Sequence, residues 1–302
     1  MKGMNILVTG ATGNVGAATL ESLLAAGADV RAGDYRLEGI HSRFGAAVEA
    51  AEFDFKRPAT FGPALAGVER LFLMRPPAIS DVQTYLFPAI DAALAVGVRQ
   101  VVFLSLIGIE KATFVPHYKV EQQLIAAGMP YTFLRASFFM QNFNTMHREE
   151  IVQRNEISVP VGKAKTSFID VRDIGAVAAK ALMEADHTGQ AYELTGPEAL
   201  DYYEVARRFS VELGRPIVYR NPSLLRFLLR QRAQGTPWAF ALVMAGLYLS
   251  TRFGMADKVT GEVQRLLGRP PITLDQYLAD YRASWLDGGA PAAQTGVPAS
   301  PA

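Results

Sequence analysis

Three glycines at three-residue intervals, Gly10, Gly13 and Gly16, separate the apolar run Asn5-Ile6-Leu7-Val8-Thr9 from a stretch at 15–26 with helical apolar spacing. A strand that must turn at once into a helix needs this composition. Gly10 permits the tight turn, Gly13 lets a bound group approach the backbone, and Gly16 lets the helix pack closely on the strand. The spacing is G-x-x-G-x-x-G rather than G-x-G-x-x-G, and the physics is the same. The helix start offers free N–H groups and the positive end of its dipole, which suits a phosphate. Strand, glycine turn and helix opening a βαβ unit form the context in which such a pattern signals a dinucleotide site. Thr9, Gly10, Thr12, Gly13, Asn14, Val15 and Gly16 are therefore expected to bind NAD or NADP.

The first half of the chain keeps the same alternation. Further β-rich runs fall at 29–32, 48–53, 70–74, 100–104 and 131–134, with helical stretches between them, notably 82–96 and 119–127. Continuous apolar strands separated by helices imply a parallel sheet covered on both faces, the doubly wound α/β architecture of Rossmann type. After Arg135 the alternation loosens. Short strands are expected at 157–161 and 167–169 around a Gly-Lys turn, a helix at 172–184, and one more strand at 190–194. From 197 to 285 the pattern is mostly helical and richer in aromatics. A dinucleotide-binding domain over 1–153, to which 170–195 returns, is expected to precede a smaller, mostly helical and mainly substrate-binding subdomain over 154–286. The end, 287–302, is low in complexity and reads as disordered.

Composition removes several function classes. The 302 residues include no cysteine, which excludes disulfides and thiolate chemistry, and the four histidines show no metal-ligand spacing. A formal net charge of +1 gives no electrostatic reason to expect nucleic acid or an anionic membrane. The most apolar stretch, 238–250, is shorter than the roughly 20 residues a spanning helix needs, and reads as a helix buried against a domain or roofing a pocket. The expectation is a cytoplasmic protein acting on a small molecule, without nucleic acid or membrane, and with a homodimer or a regulated protein partner both open.

The second strand should end near the adenosine ribose. Asp34 lies where an acid would accept a hydrogen bond from the 2′-hydroxyl, which leans the cofactor to NAD. Arg36 follows and would instead meet a 2′-phosphate, favouring NADP; Arg31, inside the strand, is a weaker candidate. Arg75, in Arg75-Pro76-Pro77 at the end of the fourth strand, should edge the cofactor or form a rigid turn.

The octet Thr9-Gly10-Ala11-Thr12-Gly13-Asn14-Val15-Gly16 resembles the fingerprint of the NmrA-like family of atypical short-chain dehydrogenases. Tyr131-Thr132-Phe133-Leu134-Arg135-Ala136-Ser137-Phe138-Phe139-Met140-Gln141-Asn142 is similar to that family's sixth strand and following loop. Phe168-Ile169-Asp170-Val171-Arg172-Asp173-Ile174 and Tyr192-Glu193-Leu194-Thr195-Gly196-Pro197-Glu198-Ala199-Leu200 match it as well, so the resemblance spans about 4–285. It implies a Rossmann-type, NAD(P)-binding protein. Family members include quinone and triphenylmethane-dye reductases, ergot-alkaloid dehydrogenases, phenylpropanoid reductases and redox-sensing regulators.

Ordinary short-chain dehydrogenases protonate a carbonyl with a Tyr-x-x-x-Lys pair. Here the lysine position falls on His117 and the tyrosine position on Thr113, while Tyr118 and Lys119 are neighbours, and neighbours do not share a helical face. The resemblance thus puts a histidine where the phenylpropanoid branch has its catalytic lysine. His117 is a candidate proton donor or ribose contact, with Glu121 one turn on as its expected partner, or the two form only a surface pair. Ser105 ends the fifth strand, where related enzymes orient substrate, and its alternative is a capping hydroxyl. Phe139, Asn142 and Trp238 are candidate substrate contacts, each with a packing or turn role as the alternative.

Three readings follow. A reductase that passes hydride to a quinone, dye or iminium needs no tyrosine, because little unscreened oxyanion forms. A non-catalytic sensor of cofactor redox state controlling a partner protein is the alternative. An epimerase of nucleotide sugars is disfavoured by Thr113, since that chemistry relies on the tyrosine.

Overall fold

The computed structural model describes residues 5–286. In chain order its elements begin β1 (Ile6–Thr9), α1 (Asn14–Ala25), β2 (Val30–Asp34), α2 (Leu37–Phe44), β3 (Glu49–Glu52), α3 (Phe61–Leu65), β4 (Arg70–Met74), α4 (Val82–Tyr85) and α5 (Phe87–Ala95). They continue with β5 (Gln100–Leu106), α6 (Pro116–Ala126), β6 (Tyr131–Ala136), α7 (Arg148–Arg154), β7 (Glu156–Ser158), β8 (Lys165–Thr166), α8 (Val171–Met183) and β9 (Gln190–Leu194). The remainder is β10 (Leu200–Asp201), α9 (Tyr202–Leu213), β11 (Val218–Arg220), α10 (Leu224–Ala233), α11 (Trp238–Arg252), α12 (Glu262–Leu267) and α13 (Leu274–Tyr281).

Two units of contact divide the chain: one through Ala136 together with Val171–Leu194, the other Ser137–Asp170 with the chain from Thr195 on. The first unit is a doubly wound Rossmann-type sheet of seven parallel strands in the order β3-β2-β1-β4-β5-β6-β9. The order reverses between β1 and β4, and that switch point is where such sheets receive a ligand at the strand carboxyl ends. Alternate strand residues serve opposite faces. Leu7, Leu71, Leu73, Val101, Phe103 and Phe133 join a core with Phe61, Leu65, Ile90 and Leu124 from the helices of one side. Ile6, Val8, Phe72, Val102 and Leu134 are equally buried and point the other way, toward the side of α1 and α8. Strands buried on both faces must be apolar throughout, which is why they read as continuous runs.

The helix expected over 82–96 is two helices, α4 and α5, broken at Leu86. Pro88 explains the break: it has no N–H to donate, and its ring collides with the carbonyl one turn earlier.

The second unit has its own core, built around Phe143, Phe168, Phe209, Tyr277 and Trp285. Trp285 fastens it by donating its indole N–H to the Phe143 carbonyl at 3.1 Å. The two short strands expected around the Gly-Lys turn do not pair with each other. β7 runs parallel to β11 and β8 antiparallel to β10, while Ile169 bridges Phe139. Strands of two or three residues contribute too few hydrogen bonds to hold a hairpin, so remote partners decide their pairing. The apolar stretch around α11 is not buried all round either. Ala241, Met244, Ala245 and Tyr248 face the core, whereas Trp238, Leu242, Val243 and Leu249 are exposed. The stretch 287–302, expected to be disordered, lies outside the described residues. No helix among the described residues is long and apolar enough to cross a membrane.

Candidate functional site

The glycine turn joins β1 to α1 with a backbone that tolerates no side chain at two of its glycines. Gly10 has a φ of +63°, and a Cβ there would meet the Met74 sulfur at 2.3 Å. A Cβ on Gly16 would fall 2.1 Å from the Gly10 carbonyl oxygen, so the helix can approach the turn only through glycine. Gly13 caps the helix without a side-chain hydrogen bond, and no acid occupies the first turn. The ladder begins with Ala17 N–H donating to the Gly13 carbonyl, leaving the N–H groups of Asn14, Val15 and Gly16 without a backbone partner among the described residues. Side-chain-free backbone, unpaired donors and an uncompensated dipole end fit a pyrophosphate.

The side chains around this turn are engaged in ways their sequence neighbours do not reveal. The Thr9 hydroxyl donates to the Phe72 carbonyl at 3.0 Å and accepts from Met74 N–H at 3.1 Å, tying β1 to β4. Asp34 is buried at the end of β2. Its Oδ2 accepts from both the amide and the hydroxyl of Thr12, at 3.1 and 2.7 Å. Arg36 lies two residues on, exposed, with its guanidinium 4.7 Å from the centroid of the Tyr35 ring. Arg31 donates to the carbonyls of Ala64 and Ala66 and pairs with Glu49, so it serves the fold.

At the carboxyl ends of β4 and β5 the expected pairing of His117 with Glu121 does not form. The Glu121 carboxylate is buried and taken by others: Ser105 donates to it at 2.6 Å, and Arg135 grips it through Nε at 3.1 Å and Nη2 at 2.7 Å. Ser105 is fully buried with its hydroxyl committed to this network. His117, in the first turn of α6, instead meets Arg75, whose Nε donates to His117 Nε2 at 3.4 Å. Arg75 also donates to the Pro76 and Pro77 carbonyls at 3.0 and 3.2 Å and to that of Ile79, so it shapes the turn after β4. Burial lowers the Arg75 guanidinium to about 10. Burial, and after it the Arg75 charge, push His117 down to about 3. The ring is therefore neutral near neutral pH. With Nε2 accepting, its proton sits on Nδ1, a buried donor with no partner among the described residues.

The second unit holds Phe139 and Asn142 in one loop and Trp238 at the start of α11. Phe139 is half-buried on its bridge with Ile169, and the backbone of Asn142 closes a turn by donating to the Phe139 carbonyl and accepting from His147 N–H. Trp238 is exposed under the Arg232 guanidinium, 5.3 Å from its ring centroid. No ring contact joins Trp238 to Phe139 among the described residues; Phe138 instead stacks with Tyr248 at 6.3 Å.

Two features of this unit had no legible signal. Asn144 is completely buried with neither amide atom hydrogen-bonded among the described residues, an arrangement that leaves about 1–3 kcal/mol per group unrecovered unless a small polar molecule enters. Tyr248, His147, Glu150 and Arg230 form a polar chain with steps of 3.3, 3.5 and 3.2 Å. Burial opposes charge on Glu150, yet the hydrogen bond from His147 and the charges of His147 and Arg230 hold it below its ordinary value. The residues of this chain lie up to a hundred positions apart, so spacing carries no trace of it.

The NmrA-like family model matches residues 2–263. The uncharacterized oxidoreductase YesF of Bacillus subtilis (strain 168) is 32% identical over 289 residues, covering 94% of this chain and 98% of that protein. The NAD(P)H azoreductase of Xenophilus azovorans is 32% identical over 284 residues, covering 93% and 99%. In fold, the chain resembles the NADPH-dependent quinone oxidoreductase QOR2 of Escherichia coli solved with NADPH, with a TM-score of 0.81 at 24% identity over 92% of this chain and 99% of that one. With the family match running through both units and full-length relatives at this identity, the chain belongs to the NmrA-like family.

Proposed function

We propose that this chain is an NAD(P)H-dependent reductase whose acceptor is a flat, electron-poor molecule such as a quinone, a dye or an iminium. The observation that carries the reading is the acid-free, uncapped start of α1 behind a turn that excludes side chains at Gly10 and Gly16. Bound there, the dinucleotide would supply the hydride. Gly10, Gly13 and Gly16 and the N–H groups of Asn14, Val15 and Gly16 would hold its phosphates, and Thr12, drawn back by Asp34, would keep the turn open.

The acceptor class follows from the proton inventory. His117 is neutral, and its Nδ1–H is available to orient a ribose or acceptor oxygen rather than to release a proton near neutral pH. Ser105 is committed to Glu121. With neither group a ready acid, the favoured acceptors are those whose reduced form is a stable anion or a neutral amine, the proton coming from water. In the second unit Phe139 and Asn142 are our candidates for acceptor contact. The relatives named azoreductase and quinone oxidoreductase support this class.

For the cofactor we favour NADPH, with NADH also used. Thr12 engages only Oδ2 of Asp34, which leaves Oδ1 for a 2′-hydroxyl and keeps NADH usable. The support for NADPH is Arg36, exposed and free of any carboxylate ion pair among the described residues. Arg36→Glu should lower the NADPH over NADH preference by at least tenfold in kcat/KM, on the order of 1.4 kcal/mol. An unchanged ratio would remove Arg36 from the cofactor site.

The test of the function is cofactor oxidation against a panel of quinones, azo and triphenylmethane dyes and iminiums. Turnover with at least one class is expected. Inertness across the panel, with NADPH binding shown by calorimetry, would overturn the reductase reading in favour of a redox sensor.

A further inference from the structure

A formal net charge near zero conceals a segregation of charge along the chain. From Leu213 to Ala256 there is no aspartate or glutamate, yet there are six arginines; out of 30 basic residues against 29 acidic ones, they leave the rest of the chain net negative. The same stretch carries a concentration of exposed apolar side chains. On α11, Trp238, Leu242 and Leu249, continued by Phe253 just beyond its end, fall within about 60° of one another at 100° per residue and form one stripe. Phe253 is 73% exposed and Leu242 56%. On α10, which packs against α11, Leu225 and Leu229 share a face one turn apart and are 66% and 55% exposed. Arg226 and Arg252 are exposed beside these stripes and form no ion pair with a carboxylate among the described residues.

We propose that α10 and α11 form a docking surface for an anionic phospholipid bilayer, with both helices lying in the interfacial plane. A half-buried helix whose outer stripe is Trp, Leu and Phe, bordered by arginine and lacking acids, has the chemistry that partitions into the headgroup boundary. At 15 residues α11 is too short to span. Its inner face is already spent on the core through Ala241, Met244, Ala245 and Tyr248, so lipid would take only the outer stripe. The charge pattern argues against a second copy: a two-fold contact through this face would set uncompensated arginines of equal sign against each other. The surface stands independently of the reductase reading, because it is measured without cofactor or acceptor.

The test is co-sedimentation of the full chain with phosphatidylcholine vesicles, with and without phosphatidylglycerol. Binding only to the anionic vesicles is expected, weakening with salt. Trp238 emission should shift to the blue; Trp285 is fully buried and will not contribute the shift. Leu225→Ser with Leu242→Ser, and separately Arg226→Gln with Arg252→Gln, should each weaken binding on the order of tenfold or more, with thermal unfolding unchanged since all four are exposed. Absence of binding to anionic vesicles would overturn the proposal. So would binding that both double variants retain, or a wild-type dimer in analytical ultracentrifugation that Leu242→Ser dissociates.

Discussion

Burial and the neighbouring Arg75 cation both disfavour charging His117, and the consequence reaches stability as well as chemistry. The unfolded chain binds a proton at this residue near 6.5, the folded chain only near 3. Between those values unfolding takes up a proton, so acid favours it. The contribution of the neutral ring is complete above about pH 6.5 and falls as pH drops toward 3, with a slope of up to about 1.4 kcal/mol per pH unit. Urea titrations between pH 4 and 7 should show this limb and should show it flattened in His117→Gln. Equal slopes in both proteins would mean the ring is solvated or already charged. Activity should lack an ionisation near pH 6.5 from this residue, unlike an enzyme that relies on imidazolium. Glu121 presents the opposite case, a buried carboxylate satisfied by Ser105 and two contacts from Arg135. Glu121→Ala leaves Arg135 without its closest counter-charge and is expected to cost about 3 kcal/mol in chemical denaturation. A loss below about 1 kcal/mol would show that solvent replaces the pair.

At the scale of elements, the fit of helix to helix depends on missing side chains. A Cβ on Gly175 in α8 would lie 2.5 Å from the Ala18 carbonyl carbon, 2.6 Å from its oxygen and 2.8 Å from the Thr19 nitrogen in α1, and all three are backbone atoms that cannot turn aside. Gly175→Ala should therefore force the helices apart, lowering stability by about 1–3 kcal/mol despite the better helix propensity of alanine. An unchanged thermal midpoint would refute that contact. Nothing in the sequence distinguished this glycine, because its reason lies some 150 residues away. The strands of the first unit were legible for the opposite reason. Arg70–Met74 and Gln190–Leu194 matched their expected spans because burial on the sheet writes itself into each run. β7 overlaps the expected run at 157–161 only at Ile157 and Ser158, and β8 falls just before the expected 167–169, because pairing with β11 and β10 leaves no local periodicity to fix the bounds. The site divides in the same way. The glycine turn is a local device and could be read from eight residues, whereas the engagements of Thr9, Asp34 and Ser105 depend on Phe72, Thr12 and Glu121, distant in sequence.

For the whole molecule, the decisive fact is that the first unit is discontinuous. Its sheet ends at β6 when the chain leaves at Ala136, and only the return through α8 and β9 completes it. A piece ending at 153 would expose β6 as a bare edge, from Thr132 to Ala136, and uncover the sheet side that α8 protects. Val171, Ile174, Val177 and Leu182 of α8 are each almost fully buried, and at roughly 1.5–3 kcal/mol apiece their loss is on the order of 6–12 kcal/mol. That equals the entire net stability of an ordinary domain, roughly 5–15 kcal/mol. Residues 1–153 produced alone should therefore lack a cooperative urea transition and bind a hydrophobic dye. Residues 1–194 should recover cooperativity even if the excursion at 137–170, deprived of the chain after Thr195, stays unfolded and exchanges its amide hydrogens freely. A cooperative transition from 1–153 would mean that the six strands from β1 to β6 with α1–α6 suffice. The dinucleotide turn would then be stable without the segment that packs behind α1. If the prediction holds, dinucleotide binding to 1–194 but not to 1–153 follows, because α1, which begins at the glycine turn, packs along α8.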